Sequence, residues 1–177
     1  MKTKNLVVMA FLIAIGATCY VIVPGFIGGM KPDFMITMMF VAMFFFRDAK
    51  STFLLALTTG LLSGLFSTFP GGFVPNVIDK FVTAFIIFAV IRLVGNYAEN
   101  RIVATTIAGI GTMISGSIFL ALAMFVLGAN VGATYFALFI AVVLPTALLS
   151  AAAFFIVYPI VGKVLRQTSF QSVFDHS

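Results

Sequence analysis

The sequence predicts an all-α membrane protein whose single domain, residues 1–177, crosses the bilayer six times. The first observation is composition: 62% of the 177 residues are hydrophobic and 8% are charged, whereas a soluble domain carries roughly a quarter charged residues. The second is a series of apolar segments, most of them long enough to span a bilayer, separated by Pro-Gly pairs or by charges. The third is the alternation of basic residues between the predicted loops. A mean hydropathy of +1.22 agrees with this fold class.

Six apolar segments supply the predicted transmembrane helices. The first ends at Pro24-Gly25 and the third at Pro70-Gly71, because proline cannot continue a regular helix. The sixth is long and contains Pro145 and Pro159, which are expected to kink it or to end its straight part early. The predicted helices are residues 6–23, 33–50, 52–69, 76–94, 102–127 and 133–162, followed by a short cytoplasmic tail over 163–177.

The basic residues predict the orientation of the bundle. If the N-terminus is cytoplasmic, eight of the ten Lys and Arg residues fall on the cytoplasmic side. These are Lys2, Lys4, Arg47, Lys50, Arg92, Arg101, Lys163 and Arg166. Cytoplasmic loops of membrane proteins carry an excess of Lys and Arg, so both termini are predicted inside. Only Lys31 and Lys80 fall on the outer side.

Those two lysines accompany a short pattern that occurs twice, GGMKPD at residues 28–33 and GGFVPN at residues 71–76. Each copy precedes an even-numbered helix and has a lysine and an aspartate close by, which indicates a weak internal repeat of helical hairpins. One interpretation is structural, because Asp33 and Asn76 are good N-cap residues and Asp79 follows where a carboxylate favours a helix N-terminus.

Capping does not require the lysines, and a charge at membrane depth costs about 2.5–3.5 kcal/mol on insertion scales. We therefore expect an outward-facing pocket that binds a small zwitterion: an aspartate would hold its ammonium group, and a lysine with a helix N-terminus would hold its carboxylate. Asparagines would add hydrogen bonds, and phenylalanines would contact a flat ring. The candidate substrate-binding residues are Lys31, Asp33, Phe34, Phe73, Asn76, Asp79, Lys80 and Asn130. The structural alternative is that Lys31 pairs with Asp79, or Lys80 with Asp33, to tie the hairpins together.

Small residues mark two helical faces. Ala10, Ala14 and Ala17 share one face of the first helix, and Gly60 and Gly64 form a GxxxG on the third. Small residues permit close helix contact, so these faces pack either within the bundle or against another membrane protein.

Motifs for catalysis or cofactor binding are absent from the sequence. It contains no GxxxxGK[ST] and no HExxH, and its one cysteine and one histidine form no cluster. We therefore expect no enzymatic activity, no catalytic residue, no metal and no cofactor. The net charge of +5 is spread over short loops, which argues against nucleic-acid binding.

The stretches at residues 29–33 and 69–80 resemble the characteristic turns of the TrpP family of bacterial tryptophan transporters, and the resemblance covers roughly residues 1–165. That family is in turn similar to the substrate-binding S components of energy-coupling factor transporters. The resemblance implies a six-helix bundle in the bacterial plasma membrane that binds L-tryptophan near its outer face. It also implies a shared membrane partner with paired ATPases, which the face formed by Ala10, Ala14 and Ala17 would contact. The absence of tryptophan from the chain fits a protein made during tryptophan shortage.

The expected function is therefore uptake of L-tryptophan by a multi-pass membrane protein. A solitary carrier of aromatic nutrients, driven by an ion gradient, is the alternative within transport. An assembly or sensor subunit that transports nothing is the alternative from another class.

Overall fold

The computed structural model describes residues 3–23, 32–67, 69, 71–128 and 134–167. These residues form helices and no strands, so the predicted all-α fold class is confirmed. The six helices are α1 (Thr3–Ile22), α2 (Phe34–Phe45), α3 (Ala49–Leu65), α4 (Phe73–Val94), α5 (Arg101–Val126) and α6 (Tyr135–Gln167). A turn of 3-10 helix at Gly95–Glu99 joins α4 to α5.

The outer surface of the bundle is apolar, as expected for a protein surrounded by lipid. Leu93, Phe125 and Phe136 each expose three quarters or more of their surface. Three helices, α1, α5 and α6, are long and apolar enough to cross a membrane by length and composition, while α2 and α3 are shorter apolar helices. A soluble monomer rarely exposes such extensive apolar surface, so these features support a multi-pass membrane protein.

Helix α2 is the centre of the bundle. Every residue from Met35 to Phe44 is buried, and α2 contacts each of the other five helices. A helix that is apolar on all sides lies either in a protein core or in lipid, and α2 lies in the core. Its 12 residues span about 18 Å, well short of the roughly 30 Å apolar core of a bilayer.

The end of α2 differs from the predicted boundary at residue 50. The helix ends at Phe45, and α3 begins at Ala49. Asp48 lies between them and caps α3, because its carboxylate accepts hydrogen bonds from the backbone N–H of Ser51 at 3.0 Å and from the Ser51 hydroxyl at 2.6 Å. This N-cap gives the chain a defined new helix start, so the two helices are separate.

The beginning of α4 also differs from the prediction. The helix starts at Phe73, three residues before the expected start at Asn76. Pro75 is tolerated in the first turn because the N–H groups there have no acceptor within the helix. Asn76 is therefore not an N-cap: its Nδ2 donates to the Gly72 carbonyl at 2.7 Å. Gly71 provides the turn before the helix with a φ of 73°, a conformation that favours glycine.

Neither proline in the last helix ends it, and α6 runs to Gln167 rather than to residue 162. A π-helical segment at Phe139–Val143 widens the turn before Pro145, which accommodates the missing N–H group. Pro159 likewise cannot donate to the carbonyl of Phe155. Arg101 of α5 donates to that oxygen instead, from Nε at 3.0 Å and from Nη2 at 2.7 Å.

The GxxxG pair of α3 serves packing inside the bundle. A Cβ on Gly60 would lie 3.1 Å from the Val77 backbone, and one on Gly64 would lie 2.7 Å from Cδ2 of Phe73. Both contacts belong to α4, so the small residues allow α3 and α4 to approach closely.

Candidate functional site

A group of charged and hydroxyl side chains lies inside the bundle at the end where α2 and α4 begin. We call Asp33, Asp79, Lys80 and Ser115 the ion cluster. They come from α2, α4 and α5, so three helices meet at this point. Of the predicted site residues, Asp33, Asp79 and Lys80 are brought together here.

Lys80 is the centre of the ion cluster. Its Nζ lies 3.1 Å from Oδ2 of Asp33, 3.0 Å from Oδ2 of Asp79 and 3.1 Å from Oγ of Ser115. An ammonium group has three N–H donors, so each donor has one partner. The side chain is only 4% exposed, and burial of this kind requires such complete pairing.

Asp79 is fully buried within α4. One carboxylate oxygen accepts from Lys80, and the other accepts from the Ser115 hydroxyl. Thr83, one turn along, lies 3.5 Å from that second oxygen. Asp79 is the seventh residue of α4, which places it about 9 Å along the helix axis from its start. The interpretation of Asp79 as part of the helix start is therefore wrong.

Asp33 pairs with Lys80 in the ion cluster and is also the N-cap of α2. Its Oδ1 accepts from the backbone N–H of Ile36 at 3.1 Å, as the capping interpretation predicted, and its Oδ2 accepts from Lys80. Its own backbone N–H donates to Oγ of Ser150 on α6 at 2.9 Å. The side chain is 23% exposed, compared with 0% for Asp79. The structural pairing of Lys80 with Asp33 is thus present, and Asp33 is the more exposed of the two carboxylates.

Several residues at this site were not predicted from the sequence. Tyr20 of α1 lies close enough for the charges of Asp33 and Lys80 to act on its hydroxyl group. Thr83 follows Asp79 by four residues, and this helical spacing was a usable signal. Ser115 and Ser150 offered none, because a single serine in an apolar helix usually bonds to its own backbone.

The other predicted site residues have different surroundings. Phe73 packs over Gly64 of α3 and is 42% exposed, and Asn76 is bonded to the backbone of its own helix. Phe34 lies at the start of α2, where its carbonyl oxygen would be 3.0 Å from a Cβ on Gly16. Lys31 and Asn130 lie outside the described residues. Among the residues that are described, no group of three His, Cys, Asp or Glu side chains could hold a metal ion.

The small-residue face of α1 points away from the bundle. Ala10 and Ala14 are exposed and Ala17 is half-buried. The buried residues of α1 are Val8, Met9, Leu12, Ile13 and Gly16. Packing among the described residues therefore does not account for Ala10 and Ala14.

Comparisons with known proteins agree on one family. The family model described as "Tryptophan transporter TrpP" matches residues 2–166. A Bacillus subtilis (strain 168) protein described as a "probable tryptophan transport protein" is 43% identical over 170 residues, covering 96% of this chain and 97% of the relative. Relatives with the same description from Clostridium acetobutylicum and Clostridium perfringens are 36% and 34% identical, covering 94% and 95% of this chain and 96% of each relative.

No solved structure matches the chain. The family model spans nearly the whole sequence, and the relatives are matched over nearly their full length. Both describe transport proteins rather than enzymes. The chain therefore belongs to the tryptophan transporter family TrpP.

Proposed function

We propose that this protein binds L-tryptophan in an outward-facing pocket and mediates its uptake across the bacterial plasma membrane. Its relatives are described as tryptophan transport proteins. The buried ion cluster carries charges of both signs, which complement the two charges of an amino acid. The cluster presents carboxylates for an ammonium group and an ammonium for a carboxylate.

The observation that carries the proposal is the difference in exposure between the two aspartates. Asp79 is completely enclosed, while Asp33 is 23% exposed and lies at the N-terminus of α2. A charged ligand entering from that end of the bundle therefore meets Asp33 first. Lys80 lies directly behind it, 3.1 Å away.

The predicted orientation supports an outward-facing pocket. The ion cluster lies at the end of the bundle where α2 and α4 begin, and the basic residues of the sequence fall mostly at the opposite end. Because basic loops remain cytoplasmic, the cluster lies towards the outside. Labelling single cysteines introduced at either end in intact cells, in a Cys19→Ser background, tests this orientation.

A titration of the purified protein tests binding. The chain contains no tryptophan, so added L-tryptophan is the only indole in the sample, and its fluorescence reports binding directly. We expect a saturable change, with affinity at least tenfold lower in Asp33→Asn and in Asp79→Asn. Glu99→Gln is the matched control, because Glu99 is 70% exposed and pairs with Arg47 at 3.7 Å. Equal affinities in all three variants would contradict the assignment of the site.

We further propose that the protein acts as a substrate-binding subunit similar to the S components of energy-coupling factor transporters. The exposed face at Ala10 and Ala14 supports this, since it offers close contact to a partner helix. We expect Ala14→Leu to abolish uptake in cells that contain the coupling module and its ATPases, while leaving binding unchanged. Phe11→Leu, on the exposed side of the same helix, is the control.

Uptake by vesicles that contain this protein alone, driven by an ion gradient, would instead identify a solitary carrier. A folded protein that binds no L-tryptophan would favour an assembly or sensor subunit in which the ion cluster is purely structural.

A further inference from the structure

We propose that Lys80 occupies, in the empty protein, the place that the ammonium group of the substrate takes at Asp33, and that substrate binding exchanges these two cations. On binding, the ammonium group pairs with Asp33, and Lys80 turns its released N–H towards the carboxylate of the substrate. This inference rests on the proposed function and specifies how the same site selects its ligand.

All three N–H donors of Lys80 are already paired in the structure. Its three N–H groups point to Asp33, Asp79 and Ser115. A lysine can offer only three hydrogen bonds. Lys80 therefore binds a carboxylate of the substrate only if it releases one of these partners.

Asp33 is the partner that Lys80 can release. Asp79 is adjacent to Lys80 on the same helix, is fully buried and accepts a further hydrogen bond from Ser115. Separating Lys80 from Asp79 would leave a charge in an apolar interior, which is strongly unfavourable. Asp33 belongs to another helix and is partly exposed. A ligand can therefore replace Lys80 there, because Lys80 remains paired with Asp79.

The exchange makes the site specific for zwitterions. After the exchange, a zwitterion leaves every charge paired, because its ammonium group faces Asp33 and its carboxylate faces Lys80. An amine without a carboxylate also leaves each charge paired, because Lys80 keeps Asp79, but one N–H donor of the buried Lys80 then has no acceptor, which is unfavourable. A carboxylate without an amine would leave Asp33 unpaired beside a second negative charge. The site therefore selects ligands that carry both groups.

Affinity measurements with two indole analogues test the exchange. Tryptamine lacks the carboxylate of L-tryptophan, and indole-3-propionate lacks the ammonium group. In the wild-type protein we expect both to bind at least tenfold more weakly than L-tryptophan. In Lys80→Met, where the internal competitor is gone, we expect tryptamine to bind at least tenfold more tightly than in wild type, and L-tryptophan to bind more weakly.

Two further variants complete the experiment. In Lys80→Met, both Asp33 and Asp79 lose the cation that pairs with them. The double variant Lys80→Met/Asp79→Asn removes one of these two carboxylates. If the single variant fails to fold, the double variant should show the same gain in tryptamine affinity. Asp33→Asn retains the cap on α2, since asparagine also accepts the Ile36 N–H, and should lose tryptamine binding in every background. If wild type binds tryptamine as tightly as L-tryptophan, or if removing Lys80 leaves tryptamine affinity unchanged, the exchange is refuted. If wild type binds no L-tryptophan at all, the proposed function itself fails.

Discussion

Replacement of Ser115 by alanine should destabilise the protein far more than the removal of a single hydroxyl group indicates. The Ser115 hydroxyl donates to Asp79 and accepts from Lys80 at 3.1 Å, and the side chain is buried. Each hydrogen bond to a charged group contributes about 1.5–3 kcal/mol. Because Asp33 still holds Lys80, we take the lower end for the two lost bonds, a decrease of about 3 kcal/mol in the free energy of unfolding. This corresponds to a change of about 140-fold in the unfolding equilibrium.

The assay is reversible denaturation in mixed micelles, followed by circular dichroism, for Ser115→Ala and for Ser117→Ala. Ser117 lies on the same helix, but its hydroxyl donates to the Met113 carbonyl at 2.7 Å, a bond within the helix that a charged group does not share. We expect Ser117→Ala to change the free energy of unfolding by less than about 0.5 kcal/mol. Equal effects of the two substitutions would refute the reasoning, because Ser115 would then contribute no more than an ordinary helix hydroxyl.

Two other predictions concern helix packing. Gly64→Ala should lower the free energy of unfolding by about 1–3 kcal/mol, since its Cβ would lie 2.7 Å from an aromatic ring of α4. Gly162→Ala, whose Cβ has 3.4 Å to its nearest neighbour, should be neutral or stabilising, and the reverse order would contradict the packing argument. Arg101→Gln should destabilise the protein by about 1 kcal/mol in the wild type and by much less in Pro159→Ala, where alanine donates to the carbonyl itself. A double-mutant cycle measures this coupling, and additive effects would show that Arg101 does not compensate for the proline.

The helices could be predicted from sequence because a bilayer requires apolar segments, although α2 is too short to span one. Proline and glycine marked the end of α1, whereas α3 ends at Leu65, four residues before the predicted end at residue 69. Asp33 was recognised as a cap because its side chain acts on a backbone N–H three residues away. These features depend on local chemistry. The predicted orientation rests on the charge pattern alone and stays a prediction.

The sequence could not reveal which partners meet across helices. The same pattern appeared to place Asp33 and Asn76 alike, yet Asp33 caps α2 while Asn76 lies inside α4. A first-turn proline is compatible with a helix that starts earlier, so the shared Pro-Asx pattern does not by itself determine where the helix begins. Ser115 and Ser150 join the site only through tertiary contacts to Asp79 and to the backbone of Asp33, and no local signal specifies such contacts.

The ion cluster joins α2, α4 and α5 through buried charged and hydroxyl groups, and the backbone of Asp33 adds a contact to α6. Asp33 caps α2, pairs with Lys80 of α4 and donates through its backbone to Ser150 of α6, while Lys80 reaches Ser115 of α5. Replacing a buried ion pair by well-packed apolar residues is often neutral or stabilising, and α3 and α4 already pack closely through glycines. Stability alone therefore does not account for charges buried in a membrane bundle. The proposed recognition of a zwitterionic ligand would account for them, because a site with charges of both signs can pair each charge of such a ligand.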